Sequence, residues 1–149
     1  MRCAECGAEL PGEESCADRF HAFLAAEHRY YEAFSMHGLF VLAYHVQHPS
    51  LCKPWMRARQ RETLREIFVE EKRWREVLSW PKDRRLRQAA VDQLKEQPVG
   101  ATDTPEVGHP IEGEMTVVDL GSTDSPDFPS EYPQRVESWA ASLAEHRLL

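Results

Sequence analysis

MHGLFVLAYHVQHP, residues 36–49, is the stretch that decides the fold. Leu39, Phe40, Ala43, Tyr44 and Val46 make it apolar over most of its girth, and it contains no internal breaker before Pro49. A segment that is hydrophobic nearly all round forms a buried helix rather than a surface one. The reading is therefore a helix from about Met36 to His48, stopped by Pro49, that other helices must surround.

Those neighbours can be read on both sides. Upstream, Ser15 with Asp18 three residues later has the form of a capping box, with a short carboxylate in place of the usual Glu. Phe20, Phe23, Leu24, Glu27, Tyr31 and Phe34 then fall near one face, Glu27 being the polar exception, which predicts one helix from Ser15 to about Phe34. Downstream, Pro54 suits the first position of a helix, where its missing N–H is not needed. Leu64, Ile67, Phe68, Trp74, Val77 and Leu78 keep that helix amphipathic to about Ser79, Pro81 breaks it, and Leu86, Ala89, Ala90 and Leu94 define a fourth helix ending near Gln97. Residues 98–130 are rich in Pro, Gly, Asp and Thr and read as a long wrapping loop. Its one ordered island is MTVVDL, residues 115–120, where Thr116 and Asp119 suit a single capped helical turn. Ser130 is expected to cap the last helix, 131–147, with Tyr132, Val136, Trp139, Ala140 and Leu143 recurring at helical spacing. The fold class is all-α: a single domain, 1–149, of about five helices, made of an entry segment 1–14, a helical core 15–97, the loop and the C-terminal helix.

Composition agrees. With 149 residues, 42% hydrophobic and 29% charged, the chain fits one globular domain with its own core. No apolar run approaches the ~20 residues of a membrane span, and the polar, cysteine-bearing start does not read as a signal peptide, so a cytoplasmic location is expected. The net charge of −7 hides an asymmetry: residues 53–95 hold 13 of the 18 Lys and Arg but 7 of the 25 Asp and Glu.

Chemistry concentrates at the other end. Cys3 and Cys6 stand in a C-x-x-C-G turn, whose two-residue spacing lets both sulfurs face one ion while Gly7 tolerates the bend. In a non-secreted chain such a pair is a metal half-site or a redox pair. A thioredoxin-like use needs a strand before it and a helix directly after, and the stretch from Gly7 to Gly12 is not a helix. Zinc is the expected metal, one per chain and structural. Cys16, at a helix N-terminus that stabilises a thiolate, is the third ligand. The fourth comes from Cys52 or the histidines. His37 and His48 lie on nearly the same face but about 16 Å apart along one helix, so they cannot share an ion. If the first two helices form an antiparallel hairpin turning near Ser35, position 48 comes level with position 21 at the knuckle's end. His48 and His21 are then the candidates. With Ser15 as N-cap, Cys16 and His21 stand about 140° apart around the helix, which favours His48, whereas a helix starting at Asp18 would favour His21.

CAECGAEL, SCADRFHAFLAAEH, MHGLFVLAYHVQHPS, MTVVDL and RVESWAASL together resemble the small bacterial proteins called domain of unknown function 5946. The resemblance covers residues 3–50 and 115–143, is most specific at YHVQHP (44–49), and is poor in the middle. It implies a helical protein with a Cys/His cluster at Cys3, Cys6, Cys16 and a histidine, and it implies no activity.

Enzyme signatures are few. The seven glycines form no phosphate-cradling loop, and there is no G-x-S-x-G elbow and no H-E-x-x-H. The one E-x-x-H, Glu106 to His109, is unpaired, whereas a carboxylate-bridged di-metal bundle needs two on helices. Arg57, Arg61 and Arg65, with Arg84, Arg85 and Arg87, give the 53–95 segment a nucleic-acid-like footprint, but Glu62, Glu66, Glu70, Glu71 and Glu76 interleave it at salt-bridge spacing. The expected function is a zinc-binding scaffold or binding module for an unidentified protein partner. The alternatives are a metal-dependent helical enzyme with an open zinc position and a nucleic-acid binder using residues 53–95.

Overall fold

The computed structural model describes residues 1–79, 82–96 and 106–148. Among them are seven α-helices and no strand, so the fold is all-α. The helices are α1 (Cys16–Glu27), α2 (Tyr31–Phe34), α3 (His37–Gln47), α4 (Pro54–Phe68), α5 (Trp74–Val77), α6 (Arg84–Glu96) and α7 (Phe128–Leu148). Short 3₁₀ turns cover Pro49–Leu51 and Val117–Leu120.

The helix read from MHGLFVLAYHVQHP is the centre of the molecule. Seven of its residues, Leu39, Phe40, Leu42, Ala43, Tyr44, Val46 and Gln47, are buried. It packs on α1, α4 and above all α7. The core it organises contains Phe23, Leu64, Leu120, Phe128, Tyr132, Trp139 and Leu143, all fully buried or nearly so. Trp139 is the anchor of α7, and its indole N–H donates to the Gln47 side-chain oxygen at 3.1 Å. The Gln47 amide in turn donates to Glu114 Oε1 (2.9 Å) and the Met115 carbonyl (2.6 Å), and Arg147 clasps the same Glu114 carboxylate through two nitrogens. A buried polar chain thus ties α3, the connection before α7 and the end of α7 together, with each of these links made by a good donor and acceptor.

Three boundaries differ from the sequence reading. The first predicted helix is two, with a turn at His28–Tyr30, where Tyr30 is extended (φ −137°, ψ 126°). No Gly or Pro marks that turn. His28 and Phe34 pack ring to ring across it, which lets α2 fold back. The third predicted helix is likewise broken. Between Phe68 and Trp74 the chain offers a run of charges, and Glu71 takes a left-handed φ of 55°. That conformation is rare for a residue with a Cβ, costing about 1–2 kcal/mol, and it ends the helical path there. The last helix starts earlier than Ser130, at Phe128, with Pro129 in its first turn, where a missing N–H is harmless. The Ser15–Asp18 and Thr116–Asp119 capping boxes both form as read. The break assigned to Pro81, the helix end at Gln97 and the first part of the wrapping loop, 98–105, lie outside the described residues.

Candidate metal centre

Residues 1–10 fold into a small knuckle. Cys3 N–H donates to the Ala8 carbonyl and Gly7 N–H to the Cys3 carbonyl, both at 2.9 Å, and Arg2 and Glu9 form a β-bridge. Gly7 has φ 81°, and a Cβ there would stand 2.9 Å from Pro110 Cβ. The glycine of C-x-x-C-G is thus required both by its backbone angle and by the closeness of the 106–111 segment. Glu5, between the two cysteines, fastens the knuckle to the body: its carboxylate accepts from Ser50 N–H (3.3 Å), Ser50 Oγ (2.8 Å) and Gly108 N–H (3.1 Å).

This docking brings four donors together. Cys3 and Cys6 come from the knuckle, Cys16 from the first position of α1, and His48 from the C-cap of α3. One ligand atom from each, three sulfurs and one imidazole nitrogen, all lie within 4.8 Å of one another. Cys6 Sγ is 3.5 Å from Cys16 Sγ, and Cys3 Sγ is 3.7 Å from His48 Nε2. A tetrahedral ion with ~2.3 Å bonds to sulfur and ~2.0 Å bonds to nitrogen sets sulfurs ~3.8 Å apart and sulfur and nitrogen ~3.5 Å apart. Two edges of the donor set therefore already have the size of a coordination tetrahedron.

His48 is oriented for this. Its Nδ1 is 2.7 Å from the Tyr44 carbonyl, which fixes the proton on Nδ1 and leaves Nε2 to face the sulfurs, the usual arrangement around a ligating histidine. Behind it runs an aromatic column. The His48 ring stacks on Tyr44 (centroids 4.3 Å), Tyr44 on Phe20 (4.1 Å), and Phe20 on Phe40 (5.2 Å). The residues that make α3 hydrophobic also hold the ligand ring in place.

Cys6, Cys16 and His48 perturb one another's protonation. A hydrogen bond from the Cys16 thiol, opposed by burial and helped by His48, draws Cys6 down to about 4. The same Cys6–Cys16 bond, with burial, pushes Cys16 up. Burial would lower His48, yet hydrogen bonds to Cys6 and to the Tyr44 carbonyl carry it to about 9. Protons and a metal cation therefore compete for the same donor atoms, and a cation entering the cluster displaces protons from them.

Of the five residues singled out in the sequence, the structure brings together Cys3, Cys6, Cys16 and His48 and leaves out His21. His21 sits on the exposed side of α1 with its ring against Phe20, because α1 does begin at Cys16 and position 21 therefore points away from the knuckle. Cys52 is buried elsewhere, accepting from the Gln60 amide at 3.4 Å. Glu5 and Tyr44 were not singled out. Nothing in the sequence marks Glu5, whereas Tyr44, four residues before a ligating histidine on a helix, stands where a carbonyl can reach that histidine's Nδ1.

The arrangement defines a helical protein with a Cys₃His cluster close enough to hold a metal ion. The chain belongs to the family of unknown function DUF5946, whose sequence model matches residues 1–146, the middle included. No curated protein and no solved structure gives a significant match.

Proposed function

We propose that the cluster holds one structural zinc per chain, and that the protein works as a scaffold or binding module rather than as a catalyst. The observation that carries this is the closed donor set: three sulfurs and an imidazole nitrogen, mutually within 4.8 Å, drawn from a knuckle and two helices. Soft thiolates in a tetrahedral arrangement favour zinc, and four protein ligands leave no position for a substrate, the mark of a structural rather than a catalytic site. Four free thiols in one chain fit a reducing compartment such as the cytoplasm. No helix among the described residues is long and apolar enough to cross a membrane. The basic 53–95 segment supports the ion-paired reading over nucleic-acid binding: Arg57 is buried, Arg57 and Arg61 both approach the Glu106 carboxylate, and Arg59 pairs with Glu66.

The test is metal analysis of protein purified without chelator, for the parent chain and for His48→Ala and His21→Ala. Zinc at one equivalent in the parent and in His21→Ala, with zinc lost or at least ~10-fold more weakly held in His48→Ala, is the expected result. A parent chain without stoichiometric metal overturns the proposal, as does a His48→Ala chain that holds zinc as tightly as the parent.

A further inference from the structure

Between α3, α4, α5 and α6 lies a cavity of about 790 Å³, whose lining includes none of Cys3, Cys6, Cys16 and His48. Its walls are mainly apolar: Val41 and Leu42 from α3, Trp55 and Met56 from α4, Leu78 beyond α5. The volume lies within the ~300–1,000 Å³ of small-molecule sites.

The fourth wall gives the cavity its meaning. α6 turns Ala90, Val91 and Leu94 toward the space, yet none of its 13 residues is buried. A helix of this length is marginal on its own and depends on burying an apolar face against the rest of the molecule. Here that face meets an opening, and α6 is held by its packing on α4 and by the Lys95 ammonium, which lies 5.7 Å from the centre of the Trp55 ring. An amphipathic helix whose apolar residues line a cavity without being covered is one layer short of a packed core.

Charge narrows what can supply that layer. Among the described residues the lining contains one permanent cation, Arg59, and no carboxylate. The Arg59 guanidinium is 3.6 Å from Glu66, and its side chain keeps 36% of its surface exposed, a contact loose enough to be exchanged for another anion. We infer that this cavity is a binding site for an amphipathic small molecule with an apolar body and one anionic head, of the medium-chain carboxylate class. The apolar body fills the space between Val41, Trp55 and Leu94, and the head meets Arg59. This inference deepens the binding-module reading and is independent of the metal.

The experiment uses the full chain, with dodecanoate and dodecanol as probes below their aggregation limits and with metal content measured on the same samples. Dodecanoate should saturate at one molecule per chain and slow amide hydrogen exchange in residues 84–96 by about tenfold or more, because it closes the face that α6 leaves open. Dodecanol should bind about tenfold more weakly. Arg59→Gln should remove the preference for the carboxylate while keeping alcohol binding, and Ala90→Trp, which fills the cavity from its rim, should abolish binding of both. The inference is overturned by absent dodecanoate binding, by binding that leaves exchange in 84–96 unchanged, by an Ala90→Trp chain that binds like the parent, or by a carboxylate preference that survives Arg59→Gln. A chain that carries its zinc but fails these tests refutes the ligand site and leaves the metal proposal standing.

Discussion

Replacing Trp139 tests the packing argument most severely, since this one side chain joins α7 to the central helix both by area and by a hydrogen bond. Trp139 has no exposed surface, lies 6.0 Å from the Phe40 ring centre to centre, and gives its N–H to Gln47. Truncation of a buried Trp to Ala costs about 3–5 kcal/mol for lost contacts and the remaining cavity. It also leaves the fully buried Gln47 oxygen without its donor, worth a further ~1–3 kcal/mol. Together these approach the ~5–15 kcal/mol that holds a domain together, so Trp139→Ala should lower the melting temperature by about 10 °C or more. Trp139→Phe separates the two parts: it keeps a ring in place and strands the same oxygen, and should lose only ~1–3 kcal/mol. The assay is urea unfolding followed by far-UV circular dichroism, with zinc measured on the folded variants and expected to match the parent. A Trp139→Ala chain within ~1 kcal/mol of the parent would refute the reasoning, because truncation of a fully buried Trp cannot be that mild.

Three other outcomes follow from particular contacts. Cys6→Ser should release residues 1–14 to fast hydrogen exchange while helical circular dichroism survives, since the knuckle adds Cys6, Ala8 and Leu10 to the edge of a core whose large side chains, Phe23, Phe40 and Trp139, come from the helices; complete loss of helix would place the metal site inside the folding core. Gly7→Ala should weaken metal retention more than an alanine at Gly12 does, because only at Gly7 would the new Cβ strike Pro110; equal effects would show that the closeness of the 106–111 segment is unimportant. Glu27 is 1% exposed, His37 Nδ1 is 3.5 Å away, and burial, only partly opposed by the Tyr132 hydroxyl, raises its pKa from an ordinary 4.5 to about 8. The unfolded chain therefore releases this proton first as pH rises, so stability should fall between about pH 4.5 and 8, and Glu27→Gln should flatten that fall; an unchanged profile in the variant would clear Glu27 of the effect.

What the sequence made legible was what periodicity and spacing encode. The all-round hydrophobicity of 36–49 placed α3 at the centre, and Trp139 was visible as an anchor because its neighbours recur at helical spacing. The cluster was legible because C-x-x-C-G has a geometry of its own and because a hairpin register brings position 48, not 37, to the knuckle. The breaks after Glu27 and Phe68 were hidden, since neither uses Gly or Pro: one depends on ring packing across the turn, the other on Glu71 accepting a left-handed angle. Glu5 and Gln47 were hidden for a related reason, as their partners, Gly108 for the one and Glu114 and Trp139 for the other, lie far along the chain. Glu27 was visible as a polar exception on an apolar face, but its burial became clear only once Tyr132 and α7 had closed over it.

X-ray absorption at the zinc edge on the purified chain distinguishes a closed Cys₃His site from an open one. The expected spectrum has one zinc per chain with three sulfurs at ~2.3 Å and one imidazole nitrogen at ~2.0 Å, and the nitrogen shell is lost in His48→Ala. A spectrum that requires a water or carboxylate oxygen in the fourth position, or a chain with no stoichiometric zinc to measure, would contradict it.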